Sequence, residues 1–205
     1  MIEKNYAFDK VRLEKREELL KLNVNPYPYD YKNSVKILDV IEKAEMDETI
    51  GDKNNFSVKI SGRIWAKRDM GKTVFMDLKD NTAKIQLYLN EKMMVNGGWD
   101  LLPFIDMSDI IGVSGDAFKT RKGELSIRVN KMVFLSKAVV SIPFGKETDD
   151  KVYYRATDPE IKYRERYIHW LLDEQDRQRI LQRFKIISLI KNWMDDNGFL
   201  EVSTP

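Results

Sequence analysis

The chain has no cysteine and a single histidine, His169, among its 205 residues. The first absence removes disulfides, thiolate metal centres and cysteine nucleophiles. The second removes histidine-cluster metal sites and leaves any serine triad hanging on one residue. That residue sits in the run YIHWLLD, a predicted helix with large apolar neighbours, which suits a structural role. Charge of one sign is also scarce: 35 Lys and Arg stand against 33 Asp and Glu, a net of +2. No whole-molecule field gathers polyanions, so any nucleic-acid binding must rest on local patches. No apolar run approaches the ~20 residues needed to span a bilayer. The opening MIEKNYAFDK carries acidic residues and no apolar segment, unlike a signal peptide. The expectation is a soluble protein of a reducing compartment, cytoplasmic and without a membrane partner.

What is present supports a packed core, with 42% apolar and 11% aromatic residues. Residues 6–22 predict an amphipathic helix in which Phe8, Val11, Leu19 and Leu22 recur at helical spacing. The prolines of NPYPY stop it. Asn33 and Ser34 then cap a short second helix carrying Ile37, Leu38 and Ile41. From Phe56 the period changes to two. Val58, Ile60 and Ile64 fall on one face of a first strand, with Lys59, Arg63 and Trp65 on the other. In VFMDLKD the inward set is Val74, Met76, Leu78; in AKIQLYLN it is Ile85, Leu87, Leu89. The turn DNTA joins these two as a hairpin. A looped or helical interlude (MVNGGWDLLPFID) precedes two more strands, DIIGVSGDAFKT and ELSIRVNKMVFLSK, separated by RKG. The phase of the last slips near Asn130–Lys131, which suggests a bulge. Five strands with a helix after the third suit a closed Greek-key barrel of the OB type, although periodicity also allows another five-stranded barrel.

Residues 139–157 lack any period and read as a linker. Asp158–Pro159 opens a new helix. A long helix follows over about 174–197, with Ile180, Phe184, Ile187, Ile190 and Met194 along one side, ended by Asn197–Gly198. FLEVSTP then begins as a strand. These last 45 or so residues resemble the opening of a second domain whose remainder is missing.

The GKT of MGKTVFM invites comparison with a phosphate loop. Such a loop needs a glycine five residues before the GK pair, where Ala66 stands, and a helix after it. Here a period-two run follows, so the segment is a strand connection. The outward faces of these strands are more informative. They carry Phe75, Gln86 and Tyr88, with Arg63 and Trp65 on the first strand. Aromatic rings interleaved with polar groups form a platform on which unstacked bases lie while their edges are read. The alternative is that neighbouring protein covers the rings.

The series NPYPY, GRIWAKRDMGKTVFMDLKD, KIQLY, TRKGELSIRV, LSKA, KYRERYIHWLL and GFLEVSTP closely resembles class II lysyl-tRNA synthetases over nearly the entire chain. GFLEVSTP is similar to the first class II motif, shared with aspartyl and asparaginyl relatives, whereas NPYPY, AKRDMGK and TRKGELSIRV favour the lysine enzyme. The resemblance implies a mainly β fold with α: a helical extension at 1–50, an OB-fold anticodon-binding domain at 51–140, a linker at 141–158, and the incomplete start of a catalytic domain at 159–205. It implies an anticodon uridine stacked on Phe75. It also implies base-reading roles for Arg68, Gln86 and Glu124. Lys10, Arg12, Lys15, Arg16 and Lys21 correspond to an extension that contacts tRNA backbone, or to a solvated face, since Glu14, Glu17 and Glu18 are interleaved. The implied partner is the anticodon of tRNA(Lys). The full enzyme is implied to be a homodimer joined through the first motif, ending at a proline similar to Pro205. It is implied to use ATP and Mg2+ to activate lysine, through regions beyond this chain. No catalytic residue, metal ligand or cofactor site is expected within the 205 residues. One departure is IHWLL after KYRERY, where the family often has Leu-Asp-Leu. A stand-alone OB module for RNA or single strands, a protein-interaction barrel, and the aspartyl or asparaginyl relative are the competing readings.

Overall fold

A computed structural model describes residues 9–46, 50–51, 55–95, 98–120, 123–142, 144, 146–148, 151–153 and 159–203. Phe8, Arg121, Lys122, Asp158 and Pro205 lie outside these. The chain divides into two compact units, residues 1–142 and 143–205.

The first unit is built on a closed five-stranded barrel ordered β1-β2-β3-β5-β4, with β1 Phe56–Asp69, β2 Thr73–Lys79, β3 Lys84–Asn90, β4 Ile110–Lys119 and β5 Leu125–Ser136. The predicted hairpin joins β2 and β3. β3 and β5 run parallel, with Gln86 opposite Ser126 and Tyr88 opposite Arg128; the other pairings are antiparallel. Closure removes open sheet edges. The expected inward residues Val58, Ile60, Ile64, Val74, Met76, Leu78, Ile85, Leu87 and Leu89 are all buried. A 3-10 helix, Trp99–Phe104, occupies the β3–β4 connection. The phase slip of β5 is a bulge: Ser114 pairs with Lys131 and Gly115 with Val129, leaving Asn130 unpaired. A second bulge, unmarked in the sequence, lies at Trp65, since Ile64 pairs with Leu78 and Ala66 with Asp77.

The helices before the barrel correct two expectations. Helix α1 spans Lys10–Lys21, capped by the Asp9 carboxylate, which accepts from the backbone N–H of Val11 and Arg12. Its buried residues are Arg12 and Leu19, whereas Val11 and Leu22 are each 58% exposed. Leu19 packs into the core, and polar clamps, rather than a full apolar stripe, complete the docking of this helix. Arg12 donates to the Met107 carbonyl at 2.8 Å, and Lys15 pairs with Asp106 at 2.6 Å. Helix α2, Ile37–Met46, buries Ile37, Val40 and Ala44 and leaves Leu38 exposed. Its cap comes from the β2–β3 turn: the Asp80 carboxylate accepts from Ile37 N–H at 2.9 Å, and the Thr82 hydroxyl from Leu38 N–H at 3.2 Å. Asn33 and Ser34 do not supply these bonds. Burial raises the Asp80 pKa, but the bonds from Ile37, Thr82 and Ala83 outweigh it and hold the group below its ordinary value.

NPYPY straps over the barrel. The Tyr27 hydroxyl donates to the Lys137 carbonyl, and Lys137 N–H donates to the Pro26 carbonyl. Tyr31 lies so close to Gly112 that a Cβ there would fall 2.4 Å from its ring. Lys137 itself is fully buried, its ammonium 2.6 Å from Asp106 and 2.8 Å from Asp109. Desolvation raises the Asp109 pKa against these bonds.

In the second unit, short strands β6 (Lys146–Thr148) and β7 (Lys151–Tyr153) pair within the stretch expected to be a linker. Three residues are too few to show a period. Helices α3 (Pro159–Arg164), α4 (Arg166–Leu172) and α5 (Glu174–Asp196) follow. Gly198, at φ +82, ends α5, and Phe199 N–H returns to the Met194 carbonyl. Phe184, Ile187 and Ile190 are exposed along α5. Residues 199–203, expected to start a strand, have no strand partner among the described residues.

Candidate nucleic-acid interface

Two rows of side chains cross the outer face of the barrel, fixed by strand register. One runs Arg68 (β1), Phe75 (β2), Tyr88 (β3), Arg128 (β5); the other runs Asp77 (β2), Gln86 (β3), Ser126 (β5), Phe118 (β4). All are outward positions of their strands, because each neighbours an inward core residue.

The first row is aromatic and basic. The Phe75 and Tyr88 rings pack at 5.5 Å between centroids, tilted by 59°, and Tyr88 meets the edge of Phe118 at 6.0 Å. The Arg128 guanidinium lies 4.4 Å over Phe118. Phe118 is thereby buried although it points away from the barrel interior. Phe75 stays partly exposed at the end of this aromatic line.

The second row is a polar set with fixed orientation. Glu124, just before β5, is placed by the turn in which Gly123 takes φ +84 and Glu124 N–H donates to the Thr120 hydroxyl. The Gln86 amide donates to both carboxylate oxygens of Glu124 at 3.2 Å. An ionised carboxylate only accepts, so the amide nitrogen faces Glu124 and its oxygen faces Ser126. The Ser126 hydroxyl accordingly donates to Gln86 Oε1 at 3.0 Å. At the far side, Arg68 Nη2 donates to Asp77 Oδ1 at 2.9 Å.

All four residues marked by sequence therefore share one surface. Arg68 neighbours Phe75 across the β1–β2 ladder, and Gln86 touches Glu124. Arg63 and Trp65 do not join them. Arg63 donates to the Ser108 carbonyl at 2.8 Å, and Trp65 carries the Lys79 ammonium 4.7 Å above its ring, near the other end of β2. Arg12 and Lys15 are likewise engaged with the barrel, which leaves the backbone-contact expectation for α1 to Lys10, Arg16 and Lys21. Sequence reasoning missed Ser126, Phe118 and Arg128. Their signal was the same outward alternation that marked Tyr88, but Phe118 and Ser126 look like core residues once buried.

Two hollows lie elsewhere on the barrel, about 440 Å³ beside Tyr31 and Gly112 and about 450 Å³ between α2 and Phe56. An outward aromatic strip flanked by oriented donors and acceptors suits flat, unpaired bases better than a small molecule. In the second unit His169 is buried, its Nε2 2.6 Å from Asp176. With Asp173 these three could be ranged as metal ligands. Lys162, at 2.7 Å, and Arg179 already hold Asp176, a poor environment for a divalent cation. The site's chemistry is that of ion pairs.

Known proteins agree with this order of parts. Residues 58–135 match the family described as OB-fold nucleic acid binding domain, and residues 158–205 match tRNA synthetases class II (D, K and N). The two matches succeed one another along the chain, barrel first. Lysine–tRNA ligase of Methanospirillum hungatei is 36% identical over 199 residues, covering 97% of this chain and 38% of that protein. The lysine–tRNA ligases of Carboxydothermus hydrogenoformans and Porphyromonas gingivalis are 34% and 33% identical, covering 96% and 95% of this chain. Over nearly its whole length the chain is similar to these lysine–tRNA ligases. It spans a little over a third of the length of these relatives, 38%, 38% and 34%. No helix among the described residues is long and apolar enough to cross a membrane.

Proposed function

We propose that the barrel binds the anticodon of tRNA(Lys), with its middle uridine stacked on Phe75 and its edge met by Arg68, Gln86 and Glu124. The observation that carries this reading is the Gln86–Glu124–Ser126 set on the same outer face as the partly exposed Phe75. Uracil presents an N3–H donor between two carbonyl acceptors. Glu124 accepts from the donor, while Arg68 and the second amide hydrogen of Gln86 serve the carbonyls. Cytosine places an unprotonated nitrogen where uracil has its N–H, so the carboxylate would meet a lone pair and a buried polar group would stay unsatisfied.

The chain then works as the tRNA-recognising part of a lysine–tRNA ligase, cytoplasmic and dimeric as a whole enzyme. ATP and Mg2+ would supply the activation of lysine to lysyl-adenylate. That chemistry falls to the portion of the relatives that this chain does not span, and the 205 residues alone bind RNA without forming adenylate. The test is equilibrium binding of anticodon stem-loops bearing UUU or UCU at matched salt. A preference for UUU supports the reading. Equal affinity favours a general single-strand module, and no RNA binding at all favours a protein-interaction barrel.

A further inference from the structure

We propose that Asp77 is a positioning residue for base selection, holding the Arg68 guanidinium over the edge of the base stacked on Phe75. The proposal rests on the anticodon reading above and extends it to a residue outside the four that the reading uses.

Asp77 occupies the middle of the surface. It lies two residues from Phe75 on the same face of β2 and opposite Gln86 on β3. Its side chain is only 18% exposed, whereas its partner Arg68 is 53% exposed. Arg68 lies beyond Arg63, the last β1 residue that pairs with β4, and its ladder partner is Phe75 of β2. A long side chain there would sample many rotamers, and fixing one on binding costs affinity. The Asp77 carboxylate fixes it in the free protein, through one N–H at 2.9 Å. Guanidinium has five N–H donors, so the ion pair leaves others for the ligand. On the opposite flank the buried Ser126 hydroxyl holds Gln86 in the same manner. Both reading groups are thus preset by a less exposed or buried partner. The pair adds little to stability, because its Arg68 end is 53% exposed to solvent.

The experiment is a double-mutant cycle on the 205-residue chain, read as the ratio of UUU to UCU stem-loop affinities. Arg68→Ala and Asp77→Ala should each lower that ratio on the order of tenfold, the size of one charge-assisted hydrogen bond. The double variant should be no worse than either single one, and the unfolding midpoints should stay at the wild-type value. If Asp77→Ala lowers the midpoint, Asp77→Asn takes its place in the cycle. A full ratio in the Asp77 variant, while Arg68→Ala and Gln86→Ala lose theirs, overturns the role of Asp77 alone. Independent, multiplying effects of the two variants overturn it as well. A wild-type chain that does not distinguish UUU from UCU overturns the anticodon reading and this proposal with it.

Discussion

Replacing Phe75 by alanine is the sharpest perturbation of the outer strip. The ring is outward, partly exposed and packed on one side against Tyr88 at 5.5 Å. Two losses follow, and they separate by assay. In the free protein the variant gives up an aromatic pair worth about 0.5–1.5 kcal/mol. The core beneath is untouched, because Val74 and Met76 point the other way. The unfolding midpoint should fall only slightly. In the complex the variant gives up a stacked base, about 1–3 kcal/mol, which is roughly a 5- to 150-fold rise in Kd. Phe75 carries no charge and meets no phosphate, so the slope of log Kd against log salt should not change. Phe75→Tyr, which keeps a flat ring, should bind within about threefold of wild type. The measurement is fluorescence anisotropy with a labelled UUU stem-loop across a salt series, on variants checked for folding. Unchanged affinity in a folded Phe75→Ala chain refutes the stacking argument. A weaker binder with a reduced salt slope refutes it too, since the loss would then come from a displaced backbone contact.

Other consequences concern neighbouring groups. Glu124→Gln should abolish the preference for UUU over UCU while lowering overall affinity less, and an equal loss on both loops contradicts the edge-reading role. Asp80→Ala removes the long-range cap of α2 and should cost about 1–2 kcal/mol in chemical denaturation; a loss no larger than that of Ser34→Ala contradicts that assignment. The Asp80 pKa is lowered in the folded chain, so the stability it confers is complete above the unfolded carboxylate pKa, about 4, and disappears as pH falls below it. The stability gap between wild type and Asp80→Asn should therefore be widest near neutrality and close in acid. Lys137→Ala leaves Asp109 buried without its cation and should cost about 3–5 kcal/mol, loosening α1 through the Asp106 that Lys137 shares with Lys15; a loss under about 1 kcal/mol contradicts the clamp.

Period-two alternation was enough to place Phe75, Gln86 and Tyr88 outside the barrel, because β2 and β3 are regular. It could not place Arg68. Continued from Val58, Ile60 and Ile64, the alternation of β1 puts Arg68 on the inner face, and only the bulge at Trp65 turns it outward beside Phe75. That bulge depends on how β2 pairs, which no local pattern in β1 announces. The bulge at Asn130 was visible, since it breaks the phase of the apolar residues themselves. Glu124 precedes its strand and has no periodic signature, so its place came from resemblance alone. The mistakes about the helices share one cause. α1 is held through Arg12 and Lys15, and α2 is capped from a turn 43 residues away, contacts that exist only after the barrel has closed.

The most direct test of the central claim is to map the RNA on the protein, by following amide and side-chain NMR shifts as a UUU stem-loop is titrated into the labelled chain. The account predicts that the large changes fall on Arg68, Phe75, Gln86, Tyr88 and Glu124, with Tyr31, Gly112 and Phe56 unmoved. Changes centred instead on the hollows beside Tyr31 and α2, with a silent Phe75, would contradict it.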